Sequence, residues 1–247
     1  MQTIILAGGW GTRLGKNFED IPKPMVKIGD KPILWHIMKT YSYYGYNDFI
    51  ICLGVKGDFI KDYFFHYNLY NSDDVTIYTH YDHSIPEQIE NWKVKLCNTG
   101  IDTPKGGRIK KIEKYLDDIN MITYGDSLCD VDINKLIEFH KANGKMVTLT
   151  AVHPPARFGE IVDNKFSEKP QTSSGYINGG YMVFNKELLN FLDENSEFES
   201  DILEKLSKRD ELMIYQHEGK WECMDHERDV THLNKLWNED KAFWKSW

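Results

Sequence analysis

Short apolar runs rich in β-branched residues recur along this chain, each followed by an amphipathic stretch, and this alternation constrains the fold more than any other feature. Thr3 to Ala7, Asp48 to Leu53, Val75 to Thr79, Met121 to Tyr124, Val147 to Val152 and Gly180 to Phe184 read as strands. Helices are expected at Pro32 to Tyr44, Lys56 to Asn68, Gly107 to Tyr115, Asp132 to Ala142 and Glu199 to Lys208. An alternating order of this kind is satisfied by a doubly wound α/β fold, a mostly parallel, mixed sheet with helices on both faces. No internal repeat at a fixed period is present.

Length and charge narrow the function classes. The 247 residues carry 30 Lys+Arg against 38 Asp+Glu, a formal net charge of −8. Binding along nucleic-acid phosphates or anionic lipid needs clustered cations, so neither a nucleic acid nor a membrane is expected as a partner. Any anion must be held by a local site. No apolar run approaches the roughly 18 residues of a membrane span, and Met1 leads straight into an apolar strand without a basic leader, so a cytoplasmic setting is expected. Cys52, Cys97, Cys129 and Cys223 are far apart and form no CxxC pair, which suits buried free thiols better than a zinc knuckle or disulfide scaffold. The acidic excess is local: residues 193–229 hold 13 acidic and 5 basic side chains, and that difference alone equals the net charge. The tail beyond it carries Trp237, Trp244 and Trp247, which suggests aromatics docked on the chain's own core or on a second subunit.

The chemistry is signalled where the first strand ends. Leu6 and Ala7 run into Gly8, Gly9, Gly11, Thr12 and Arg13, a glycine-rich turn at the strand's C-terminal end, where ligands of α/β sheets usually sit. Glycine there lets backbone N–H groups approach phosphate oxygens closely. A Walker loop would need a Lys-Ser/Thr pair, and a dinucleotide fingerprint a third glycine where Leu14 stands, so neither matches. Arg13 and Lys23 are two cations spaced to converge on an anion, and Lys23 lies between two prolines that restrict its backbone. Asp126 follows a strand and should stand at the same sheet edge. Asp132 reads as the cap of the helix that follows it.

LAGGWGTRL followed by PKPM resembles the signature of the sugar-1-phosphate nucleotidyltransferases. Further stretches, KPILWHIMK, DFIICLGVKG, GGR, TYGDSLCDVDI, RFG, EKP, INGGYMVFN and MDHERD, are similar in order to the cytidylyltransferase branch of that family. The resemblance covers essentially the whole chain. It implies the nucleotide-diphospho-sugar transferase (Rossmann-like) fold, with a nucleotide part over about residues 1–115, a metal and sugar-phosphate part over about 116–229, and a short extension over 230–247. It implies nucleotidyl transfer from CTP to a hexose 1-phosphate, most naturally α-D-glucose 1-phosphate, with Mg²⁺ and a homo-oligomeric assembly.

Residue by residue, the resemblance assigns catalytic roles to Arg13, Lys23 and Asp126. Leu6, Ala7, Gly8, Gly9, Gly11, Thr12, Arg13 and Lys23, together with Gly107 and Arg108, fall on the nucleotide. Gly159, Glu168, Lys169, Asn178 and Gly179 fall on the sugar phosphate, and Asp126 and Asp225 on the metal. Arg13 would face the leaving β and γ phosphates and Lys23 the α-phosphate, where fixed cations offset the charge that builds up during transfer. Two carboxylates from distant chain positions suit Mg²⁺, which keeps part of its hydration. Departures cluster on the metal and sugar side: Ser127 and Cys129 stand at small-residue positions, His226 where threonine is usual, and Ala156 where glycine is usual. Lys105 replaces a common threonine. The same transfer to another sugar or polyol phosphate or from another nucleotide, or a nucleotide-binding regulator without turnover, are the alternatives.

Overall fold

The computed structural model describes residues 1–11, 14–67, 90–155, 160–162, 165–167 and 175–247. The strand expected at Val75 to Thr79 lies outside them, as do Thr12, Arg13, Gly159, Glu168 and Lys169. Seven strands form one sheet: β1 (Thr3–Leu6), β2 (Asp48–Leu53), β3 (Lys93–Asn98), β4 (Ile119–Tyr124), β5 (Val147–Val152), β6 (Ile177–Asn185) and β7 (Leu212–His217), ordered β7-β5-β6-β4-β1-β2-β3. β4, β1, β2 and β3 are mutually parallel, and β7 is parallel to β5. Only β6 runs against its neighbours. The sheet is therefore mixed, with β1 near its centre and its C-terminal end at an open edge.

β1 is buried along its length, as a central parallel strand covered on both faces must be. Ile5 and Ala7 join one apolar cluster and Ile4 and Leu6 another, so the strand feeds both cores by simple alternation. The first cluster lies under α1 (Ile33–Tyr43), α2 (Gly57–Phe65) and, further along the chain, α4 (Ile133–Asn143). The second holds Ile109 of α3 (Lys105–Lys111) and the segment from Leu188 to Leu206. Asp132 caps α4, accepting the Lys135 amide at 3.1 Å. The helix expected from Gly107 starts earlier, at Lys105, and ends in a 3-10 turn over Glu113–Tyr115. The one expected at Glu199 opens as a π-helical segment, Phe198–Leu203, and continues as α-helix over Glu204–Lys208.

A two-stranded ladder pairs Ser127–Cys129 with Trp221–Cys223, antiparallel, with Ser127 opposite Cys223. It brings the segment after β4 against the segment before α5 (Glu227–Asn238). The tail folds onto the chain's own core. Trp244 is fully buried and donates through Nε1 to His36 Nδ1 at 3.3 Å, while His36 Nε2 bonds to the Ile28 carbonyl at 2.9 Å. Trp237 meets His36 edge to face at 4.7 Å, and Asn234 accepts the Gly29 amide at 2.8 Å. Among the described residues no helix is long and apolar enough to cross a membrane.

Candidate active site

A cavity of about 690 Å³ opens at the C-terminal end of β1. Leu6 to Gly11, Lys23, Asp126, Asn178 and Asp225 line it together, although they come from five separate stretches of chain. Sequence order alone does not show that meeting. It follows from the parallel pairing of β1 with β4, which sets Leu6 beside Tyr124, and from the ladder beyond β4, where the Met224 amide donates to the Asp126 carbonyl at 2.8 Å.

Lys23 opens a 3-10 turn, Lys23–Met25, between Pro22 and Pro24. Its ammonium reaches Asp126 Oδ2 at 2.7 Å and Asp225 Oδ1 at 2.5 Å, with only 11% of the side chain exposed. Burial opposes the charge, but the Asp126 carboxylate and the hydrogen bonds to both aspartates outweigh it and hold the lysine above its ordinary range. Asp225 is fixed from below: Asp229 in the first turn of α5 accepts the amides of Asp225 at 2.9 Å and His226 at 2.7 Å. Acidic residues are favoured there by the helix dipole and the unpaired N–H groups. His226 thus stands at the N-cap of α5. Asp229 was passed over in the sequence, since a capping box ordinarily opens on Ser or Thr and His226 stands in that place.

The carboxylates of Asp126 and Asp225 and the Cys223 sulfur lie within 4.8 Å of one another. The Cys223 thiol is pushed up, by burial first and then by Asp126, so it is a neutral neighbour. Two carboxylates that already close on one cation, the Lys23 ammonium, are a donor set that suits a hard divalent metal. A second group, Cys129, Asp130 and His217, is internally satisfied: Asp130 Oδ1 is bonded to His217 at 2.7 Å and to the Lys220 amide at 2.8 Å.

Arg108, expected on the nucleotide, lines the cavity but directs its guanidinium at the protein. Nη1 donates to Leu53 O at 3.0 Å, Thr99 Oγ1 at 2.8 Å and Gly100 O at 2.7 Å, and Nη2 to Gly8 O at 3.1 Å and Ile101 O at 3.0 Å. The glycine loop, the end of β2 and the 99–101 turn are stapled together by this one side chain. A Cβ on Gly8 would land on that guanidinium, which is the physical reason for glycine at this position. Gly107 does not line the cavity. A Cβ there would strike the Glu194 carbonyl, so its role is close packing of α3 against the 194–196 turn.

Asn178 donates to the Tyr124 hydroxyl at 3.2 Å, and Gly179 O accepts the Trp221 indole N–H at 2.8 Å. Tyr124 donates in turn to Glu199 at 2.7 Å. Tyr124, Trp10 and the Ile101 to Lys105 loop are cavity residues that sequence reasoning passed over. Only an aromatic two residues before Asp126 hinted at the first.

A glycine-rich strand end facing a buried lysine gripped by two aspartates is the equipment of an enzyme that handles polyphosphate and a divalent cation. The chain belongs to the nucleotidyl transferase family, whose model matches residues 2–243, and members of that family generally use a divalent metal. It is 44% identical over 262 residues to a glucose-1-phosphate cytidylyltransferase of Salmonella typhimurium, covering 100% of both chains. A D-glycero-alpha-D-manno-heptose 1-phosphate guanylyltransferase of Campylobacter jejuni is 30% identical over 84% of this chain and 87% of its own. Among solved structures, HddC of Yersinia pseudotuberculosis superposes with a TM-score of 0.71 at 25% identity, covering 96% of this chain and 99% of that one.

Proposed function

We propose that this chain transfers a cytidylyl group from CTP to α-D-glucose 1-phosphate, giving CDP-glucose and pyrophosphate, with Mg²⁺ as the metal. The end-to-end identity of 44% to a glucose-1-phosphate cytidylyltransferase carries the reading. In the proposed reaction a phosphate oxygen of the sugar phosphate forms a bond to the α-phosphorus of CTP as the bond from that phosphorus to the β-phosphate bridging oxygen breaks. The protein's part is placement and charge. Leu6 to Gly11 present the strand end to the nucleotide, and Thr12 and Arg13 are assigned to it on the strength of the motif. Lys23 exchanges one aspartate for an α-phosphate oxygen and offsets the negative charge that grows there. Asp126 and Asp225 would hold the metal, which would supply positive charge against that of the phosphates. Gly159, Glu168, Lys169, Asn178 and Gly179 are assigned to the sugar phosphate on the strength of the motifs alone.

The whole chain serves as one catalytic unit in this reading, with the nucleotide over about residues 1–115, the metal and sugar phosphate over about 116–229, and the tail as a brace. A cytoplasmic homo-oligomer completes it. The Campylobacter relative favours one second reading, guanylyl transfer to a heptose phosphate, at lower identity and coverage. Pyrophosphate release from each of four nucleoside triphosphates against a panel of sugar phosphates separates the two. CTP with glucose 1-phosphate is the pair expected to turn over, and activity confined to GTP would overturn the assignment. Asp126→Asn should remove turnover while leaving the melting temperature nearly unchanged.

A further inference from the structure

The Ile101 to Lys105 loop forms one wall of the cavity, and Arg108 ties that loop to the Gly8 carbonyl, so Lys105 stands on the same side as the glycine-rich strand end. Its ammonium sits 4.5 Å over the Tyr124 ring and pairs with Glu199, whose carboxylate also accepts the Tyr124 hydroxyl at 2.7 Å. Glu199 is held below the usual carboxylate range: burial opposes this, and the hydrogen bonds from Lys105 and Tyr124 outweigh it. An isolated surface pair of this kind contributes little and needs no function. This pair differs in that one ammonium is held simultaneously by an anion and an aromatic face, on the wall of the cavity. A lysine is ordinarily a floppy point charge, and here much of its rotamer freedom is already spent before any ligand arrives.

An ammonium offers donors only. Cytosine presents two neighbouring acceptors, O2 and an unprotonated N3, whereas uracil and thymine carry a hydrogen on N3. We propose that Lys105 is a specificity-determining residue that donates to the O2 and N3 edge of the cytosine, with Glu199 and Tyr124 as its positioning residues. The proposal rests on the cytidylyl-transfer reading above and deepens it. A site built to satisfy a particular hydrogen-bonding edge rejects the analogue that presents the wrong one.

Steady-state kinetics on the full-length enzyme with CTP and UTP test it, after the wild-type panel has established that CTP is used. If CTP is not a substrate of the wild type, the functional reading fails and this proposal falls with it. If it is, Lys105→Met should raise the KM for CTP about 10- to 100-fold, the scale of one lost hydrogen bond from a charged donor. The CTP-over-UTP ratio of kcat/KM should fall about tenfold and the KM for the sugar phosphate stay within about twofold. Glu199→Gln should move the same ratio in the same direction by less, and Lys105→Arg should retain part of the preference. Calorimetric titration of CTP and UTP, without the sugar phosphate, should give the same order of affinities. An unchanged CTP KM and base ratio in Lys105→Met would overturn the proposal, as would equal rises in both substrates' KM values, the pattern of a merely structural lysine. If Lys105→Met does not fold, the Lys105→Arg and Glu199→Gln ratios decide, and wild-type ratios in both would refute it.

Discussion

Acidification should loosen this protein, and His36 is the clearest place to see it. His36 on α1 is fully buried, and both ring nitrogens are occupied in one tautomer: Nε2 donates to Ile28 O, and Nδ1 accepts from Trp244. Burial lowers its pKa to about 4, from 6.5, against the pull of the Ile28 carbonyl, Asp30 and the Lys31 backbone. A proton on Nδ1 would also turn the acceptor for Trp244 into a second donor. Below pH 6.5 the unfolded chain therefore binds a proton that the folded chain refuses until about pH 4, and stability falls as pH falls through that window. At about 1.4 kcal/mol per pH unit the loss approaches about 2 kcal/mol at pH 5 and about 3 kcal/mol near pH 4. Urea unfolding followed by tryptophan fluorescence at pH 7.5, 6.0 and 5.0, for wild type and His36→Gln, isolates the term from the carboxylates. The variant should start less stable, because its amide replaces the ring imperfectly, yet lose about 2 kcal/mol less between pH 7.5 and 5.0. Equal losses in the two proteins would refute the reasoning.

Two further outcomes follow from side chains that hold backbone groups in place. Arg108→Met removes a donor from four carbonyls and the Thr99 hydroxyl beneath the glycine loop; Leu53 O and Gly8 O keep the amides of Thr99 and Val55, so the loss should be on the order of 3 kcal/mol in chemical denaturation, chiefly from Gly100 O and Ile101 O. The nucleotide KM should rise with it, and a loss within about 0.5 kcal/mol would show that the staple is dispensable. Asp229→Ala removes the acceptor for the amides of Asp225 and His226. It should cost about 1 kcal/mol as a lost cap and weaken activation by a divalent metal more than it lowers stability, a split measured by metal titration of the initial rate alongside a thermal melt.

The alternation of apolar runs and amphipathic stretches was enough to fix the sheet's character, because buried parallel strands such as Asp48–Leu53 and Val147–Val152 are nearly continuous in β-formers. Lys93–Asn98 and Leu212–His217 were passed over because they are the two edges of the sheet, half-buried, with Lys93, Lys95 and Gln216 diluting the signal. The motif residues Lys23, Asp126 and Asp225 were legible and do meet. Arg108 was legible as a site residue and does line the cavity, but its bonds to the surrounding carbonyls were not, since a sequence shows a cation and not the direction in which it points. Lys105, Tyr124 and Glu199 form a cluster only because the loop before α3, the end of β4 and a π-helical turn converge in space, and no local pattern records that convergence.

The tail illustrates how a site can depend on residues that never touch it. Asp225 and Lys23 meet directly at 2.5 Å, but they are also joined the long way round. From Asp225 the path runs through the Asp229 cap into α5, whose Asn234 holds the Gly29 amide and whose Trp237 packs on His36. His36 bonds to Ile28, and the Val26 carbonyl just before it accepts the Ile33 amide at 2.9 Å, closing the turn that follows Lys23–Met25. Removing the tail would therefore leave every expected catalytic side chain in the sequence and yet free both ends of the Lys23 to Asp225 contact. This is why the aromatics at the C-terminus are turned inward. In the proposed reaction Lys23 trades an aspartate for a phosphate, which requires the aspartate and the lysine's own backbone to be held still by something else, and the ring through α5 and His36 provides that hold.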